Sequence, residues 1–94
     1  MIKSYGDRDA ERFANGAPVA RWQPFRIQVE KRLRILEAAT SLIDLRSLPS
    51  NRLEALKGGR KGQYSIRINL RWRICFSWPE GSTGPENVHI VDYH

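Results

Sequence analysis

Two runs of alternating character, separated by three residues, leave this chain little choice of architecture. Tyr64, Ile66 and Ile68 alternate with Ser65, Arg67 and Asn69; Trp72, Ile74, Phe76 and Trp78 then alternate with Arg73, Cys75 and Ser77. A helix would scatter such a pattern around its surface, whereas a strand sorts it into a buried and an exposed face. With Asn69-Leu70-Arg71 as the loop, the runs form a hairpin in which Ile68 stands opposite Trp72 and Ile66 opposite Ile74. Arg67 then faces Arg73 on the other side of the sheet. Like charges opposed in a sheet are unfavourable, so a pair kept there is read as a seat for an anionic ligand.

Upstream the period lengthens. Phe25, Val29, Leu33 and Leu36 form one apolar stripe of a helix over Trp22–Ala39, with Pro24 in its first turn. Arg26, Lys31 and Arg34 lie off that stripe and belong to a solvated face. Asp7 to Asn15 reads as a shorter helix capped by Asp7, with Asp9 and Glu11 in its first turns and Gly16 ending it. Met1 to Tyr5 is expected as a short strand. Thr40 to Leu48 is a short helix or turn stopped by Pro49, and Val88 to Tyr93 is a last strand beyond the turn Pro79–Pro85. Helices first and paired strands afterwards indicate one α+β domain over residues 1–94.

Charge narrows the function. Between Leu45 and Pro79 stand eight basic residues and one acid, Glu54. The whole chain carries +6 with a pI near 10.1, a balance that favours polyanions, nucleic acid first. Cys75 is the only cysteine, which excludes an intrachain disulfide and a cysteine zinc site and fits a reducing cytoplasm. The first residues lack the apolar core of a signal peptide, and no apolar run approaches the ~18–20 residues of a membrane span. No P-loop is present. Gly59-Arg60-Lys61-Gly62 matches a short GXXG clamp, but strands flank it where that motif needs helices. His89 and His94 with Asp92 are too few and too close for a metal site, so neither metal nor cofactor is expected. His89 alternates with Val88 and Ile90 and is expected in solvent. Cys75 reads as a small packed residue, and Trp72, Phe76 and Trp78 as core.

A carboxylate among so many cations is expected to be ionised and able to accept a proton. The bland alternative for Glu54 is an exposed strand residue paired with Lys57 or Arg52. Lys57 and Arg73 are placed to hold a phosphate by charge and hydrogen bonds. Asp92, Tyr93 and His94 gather a carboxylate, a phenol and an imidazole in adjacent positions, although such a stretch is also what a frayed tail looks like. Together these groups suit RNA cleavage, in which a ribose 2′-hydroxyl attacks its own phosphodiester. That reaction needs a base, an acid for the leaving 5′-oxygen, and cations against the growing charge. Strict alternation puts Glu54 and Lys57 on opposite faces unless Gly58 and Gly59 twist the strand end, as a bulge would.

Met1-Ile2-Lys3-Ser4, the run Arg52-Leu53-Glu54-Ala55-Leu56-Lys57-Gly58, the strands at Tyr64-Ser65-Ile66 and Trp72-Arg73-Ile74, and Asp92-Tyr93-His94 together resemble the HigB toxins of the RelE superfamily. The resemblance spans essentially the whole chain. It implies a RelE-like, microbial-ribonuclease-like fold, with N-terminal helices packed on one face of a mainly antiparallel sheet. It implies a toxin that cuts mRNA in the ribosomal A site and stops translation. Its implied partners are the ribosome, mRNA and a HigA-like helix-turn-helix antitoxin, through which alone operator DNA is met; no membrane is involved. By position, Lys57 and Arg73 match the family's phosphate-contacting residues, and Asp92, Tyr93 and His94 its C-terminal catalytic group. Arg67 and Arg60 are expected to grip RNA more loosely. The chain departs at Glu54, where some members have histidine, and at Gly59, where an acidic residue is more usual. A non-catalytic protein of the same fold, binding RNA or only an acidic antitoxin, is the alternative.

Overall fold

The computed structural model describes residues 1–92, so that the expectations for Tyr93 and His94 fall outside the described residues. Helix α1, Arg8–Ala14, starts where the Asp7 carboxylate accepts the Asp9 backbone N–H at 2.9 Å. It ends at Gly16, whose φ of +97° only a residue without Cβ adopts freely. Ala10 and Phe13 are its buried residues.

The long helix begins later than its apolar stripe suggests. Ala20–Phe25 forms a 3-10 segment, and α2 occupies Arg26–Ala38. Phe25 leaves helical geometry (φ −131°, ψ 31°), and its ring lies 5.6 Å from that of Trp72. Pro24 supplies no N–H and disfavours the helical conformation at Gln23, so the tertiary contact of Phe25 decides the break. Val29, Leu33 and Leu36 are buried, whereas Arg26, Lys31 and Arg34 are exposed. Helix α3, Leu42–Arg46, has reciprocal caps: Ser41 Oγ accepts the Asp44 N–H, while the Asp44 carboxylate accepts the Thr40 N–H at 2.8 Å. That hydrogen bond is the main cause holding the Asp44 carboxyl below its ordinary pKa.

Four antiparallel strands follow in the order β1 (Glu54–Ala55), β2 (Gln63–Arg67), β3 (Trp72–Ser77) and β4 (Glu86–Asp92). The β2–β3 register pairs Ile66 with Ile74 and Arg67 with Arg73, as the alternation predicts. Ile66, Ile68, Ile74, Phe76, Val88 and Ile90 meet α1, α2 and α3 in one core. Phe76 is fully buried, while Trp72 and Trp78 are partly buried against that core. The expected N-terminal strand is reduced to a parallel bridge of Tyr5 with Val88, with Lys3 and Gly6 donating to Pro85 O and Val88 O. Among the described residues, no helix is long and apolar enough to cross a membrane.

The other face of the sheet carries Gln63, Ser65, Arg67, Arg73, Cys75 and Ser77. Leu56, Ser65 and Cys75 are buried yet lie outside the main hydrophobic cluster. One irregularity shapes this face. Cys75 pairs with His89 but Ser77 pairs with Glu86, so β4 spends an extra residue beside Phe76. Asn87, at φ +56°, absorbs it; such a bulge shifts the side-chain parity, and asparagine tolerates that conformation better than most residues.

Candidate active site

Consecutive pairings draw a row across the face turned away from the main core: Glu54 opposite Ser65, Ser65 opposite Cys75, Cys75 opposite His89. The next row holds Arg67, Arg73 and Val91. An open hollow of about 300 Å³ lies at the β1 side of these rows, lined by Arg52, Leu53, Glu54 and Arg73.

Arg73 is the best-anchored cation of this hollow, its side chain only 13% exposed. Its Nε donates to Ser65 Oγ at 2.8 Å and its Nη2 to the Arg52 carbonyl at 2.7 Å. The Glu54 carboxylate stands 3.5 Å from Nη2 with its side chain 57% exposed. Water screens a pair so open, so it fixes position more than it adds stability. Arg52, at φ +49°, takes a left-handed backbone conformation at the end of the Pro49–Asn51 turn, and its carbonyl is one of the arms that aim Arg73. Sequence reasoning passed over Ser65. Its signal was the placing of two small residues, Ser65 and Cys75, at adjacent polar-side positions beneath long cations.

The opposed arginines are eased by divergence. Arg73 reaches towards β1, whereas Arg67 Nε turns back to the Asn69 carbonyl at 3.3 Å. Lys57 is exposed at the exit of β1; the β1–β2 register is regular, and the chain leaves the sheet there into the Gly58–Arg60 turn. Arg60 folds back from that turn and donates to Gln63 Oε1 at 3.1 Å and to His89 Nε2 at 2.6 Å. His89, expected in solvent, is thus half-buried and held, with Nδ1 also 2.7 Å from Asn87 O. Burial pushes the Cys75 thiol up, with Arg60 and Arg73 pulling the other way.

Asp92 stands apart from the Glu54–Arg73 pair. It is registered with Trp72 and so has the parity of the core face; Arg71 grips it with Nε at 2.8 Å from Oδ1 and Nη2 at 2.6 Å from Oδ2. That hydrogen bond raises the Arg71 guanidinium above its ordinary value. A larger hollow, about 410 Å³, lies on the helical side between the N-terminal residues, α1 and α2. Two carboxylates, Glu30 and Glu37, line it, which makes it a poor seat for a polyanion.

Residues 5–94 match the family described as the RelE-like toxin of type II toxin–antitoxin system HigB. The chain belongs to the HigB-like toxins. Toxin HigB-1 of Vibrio cholerae is 37% identical over 83 residues, covering 86% of this chain and 87% of that protein. The protein named Endoribonuclease HigB of Proteus vulgaris is 33% identical over 67 residues, 71% of this chain and 70% of that one. A YoeB/ParE toxin from Agrobacterium tumefaciens superposes with a TM-score of 0.53 at 18% identity, covering 100% of this chain and 98% of that one; this likeness carries the fold alone. This HigB-like toxin thus has the expected α+β RelE-like architecture, and as the toxin of a type II system it has an antitoxin for a partner.

Proposed function

We propose that this HigB-like toxin is an endoribonuclease that cuts mRNA on the ribosome and so inhibits translation. The observation that carries the reading is the Glu54 carboxylate 3.5 Å from a guanidinium that Ser65 and Arg52 hold in place on an open cationic face. A base beside an anchored cation is what attack by a 2′-hydroxyl requires. The name Endoribonuclease HigB of the Proteus vulgaris relative points the same way.

In this mechanism Glu54 takes the 2′-hydroxyl proton as the oxygen attacks phosphorus. Arg73 and Lys57 neutralise the phosphorane oxygens, and Arg67 and Arg60 hold flanking RNA. The bond from phosphorus to the 5′-oxygen breaks, and His94 protonates that oxygen, leaving a 2′,3′-cyclic phosphate and a free 5′-hydroxyl. Tyr93 stacks on a nucleotide. Asp92, clamped by Arg71, fixes the end of β4 from which Tyr93 and His94 continue. No step calls on a metal, and DNA, lacking the 2′-hydroxyl, should be left intact. The ribosome supplies orientation of the message, worth several kcal/mol of barrier. Control rests with a HigA-like helix-turn-helix antitoxin that holds the toxin in the cytoplasm and brings it to operator DNA.

The test is primer extension on a ribosome-bound message after addition of the protein. New 5′ ends on ribosomal mRNA, far fewer on naked RNA, are expected. Glu54→Gln should slow cutting at least about tenfold, and removal of His94 should abolish growth arrest on expression. Tight binding without any cut product would instead make this a non-catalytic member that acts by holding RNA or its antitoxin.

A further inference from the structure

His89 has no part in the mechanism above, yet both of its ring nitrogens are engaged. Its ring is fixed from two sides. The Asn87 carbonyl, 2.7 Å from Nδ1, can only accept, so Nδ1 carries the proton. Nε2 is therefore the lone-pair nitrogen, and Arg60 Nη2 donates to it at 2.6 Å. The β4 bulge makes this possible. Asn87, in its left-handed conformation, presents the carbonyl, while the regular pairing with Cys75 keeps His89 on the same face as Cys75, Ser65 and Glu54.

Arg60 in turn spans the sheet. Nη2 is shared between His89 on β4 and Gln63 on β2, and His89 is registered opposite Cys75 on the strand between them. Neither Nε nor Nη1 is used by the bonds to Gln63 and His89. The anchors of the two arginines are neighbours: Gln63 for Arg60 and Ser65 for Arg73 point to the same face of β2, about 7 Å apart as residues two positions apart in a strand are. Both guanidinium groups pull the Cys75 thiol down against the effect of its burial. Such a spacing suits the phosphates on either side of one nucleotide.

We propose that His89 is a positioning residue: as the Nδ1–H tautomer it holds Arg60 over Cys75, beside Arg73, so that the two forks grip adjacent phosphates of one bound RNA strand. This rests on the endoribonuclease reading, and adds a residue that touches neither RNA nor the reacting atoms. Replacing His89 by a side chain without an acceptor leaves Arg60 without its β4 anchor. Glutamine, whose Oε1 reaches where Nε2 stands, keeps it.

The experiment measures binding of a short RNA whose 2′-hydroxyls are all methylated, so that no cleavage intervenes. Arg60→Ala and His89→Ala are each expected to weaken binding about tenfold and to lower the salt slope by about one phosphate. The double variant should be no weaker than Arg60→Ala alone, the signature of residues acting as one unit. His89→Gln should stay within about threefold of the wild type, because an amide oxygen replaces the lost acceptor. Imidazole nitrogen NMR of the whole protein should show the proton on Nδ1. Additive losses, a folded His89→Gln protein as weak as His89→Ala, or a proton on Nε2 would each overturn the inference. If the wild type binds this RNA with the expected coupling yet never cuts unmodified message, the endoribonuclease reading falls and the positioning role stands. If it cuts but the cycle is additive, only the role of His89 falls. If it binds no RNA, the positioning role falls, while the endoribonuclease reading stands or falls with primer extension on ribosome-bound message.

Discussion

Replacing Arg73 by lysine separates charge from geometry at the proposed site. The charge survives, but the fork does not. Arg73 spans two acceptors with different nitrogens, Ser65 Oγ at 2.8 Å and the Arg52 carbonyl at 2.7 Å. One ammonium on a flexible stem reaches one of them well. The loss is then one charge-assisted hydrogen bond, about 1.5–3 kcal/mol. Ser65 is fully buried and cannot turn to water for a replacement, so a drop of about 1.5 kcal/mol or more should appear in urea unfolding. If the fork also holds the guanidinium where charge grows in the transition state, the same 1.5–3 kcal/mol slows cleavage about 10- to 150-fold. Ser65→Ala removes a bond of the same kind but leaves no buried hydroxyl unpaired, and should fall at the low end, about 1.5 kcal/mol and about tenfold in rate. The assay is single-turnover cleavage of ribosome-bound message, with unfolding curves on the same preparations. An Arg73→Lys protein that cuts within twofold of wild type would refute the reasoning, because Arg73 would then act as a point charge.

Other consequences are more local. Asn51 is fully buried; its Nδ2 donates to Leu45 O at 3.0 Å and its Oδ1 accepts from Arg32 at 2.7 Å, so Asn51→Ala should lower stability by about 2–4 kcal/mol in urea unfolding. Hydrogen bonding to Arg21 holds the Asp9 carboxyl below its ordinary value, and the Thr40 backbone N–H does the same for Asp44. Folded values below unfolded ones mean that this stabilisation is present above the ordinary aspartate range and is lost as pH falls through the folded values. Melting temperature should therefore decline through that acid range, less steeply in an Asp9→Asn, Asp44→Asn protein. Cys75 is buried with its thiol pushed up, chiefly by burial, so it should resist a thiol reagent in the native protein and react at once in urea.

Much of the fold was legible because it depends on local periodicity. Alternation in Tyr64–Trp78 set both the strands and their register, since a slip of one residue would turn Ile66 and Ile74 out of the core. The Asp7 cap and Gly16 stop were equally local. Readings failed where a distant contact outweighed a local preference. Phe25 left its helical stripe for Trp72. The N-terminal residues, with only the edge of β4 to pair with, made a single bridge. His89 was assigned to solvent because simple alternation cannot see Arg60 returning from a turn far back in the chain.

By itself, then, the sequence determined an α+β chain with one cationic sheet face, a lone acid within it, and membership of the HigB-like toxins. Which cations lie ready on that face was decided only by the tertiary structure. Side-chain parity says where a long arginine starts, but its head lies several bonds away and goes to whatever acceptor the fold brings near. Ser65 and the Arg52 carbonyl draw Arg73 beside Glu54, Asp92 draws Arg71 elsewhere, and the Asn87 carbonyl holds the His89 ring that receives Arg60. These acceptors come from separate strands and turns, so no local pattern encodes them.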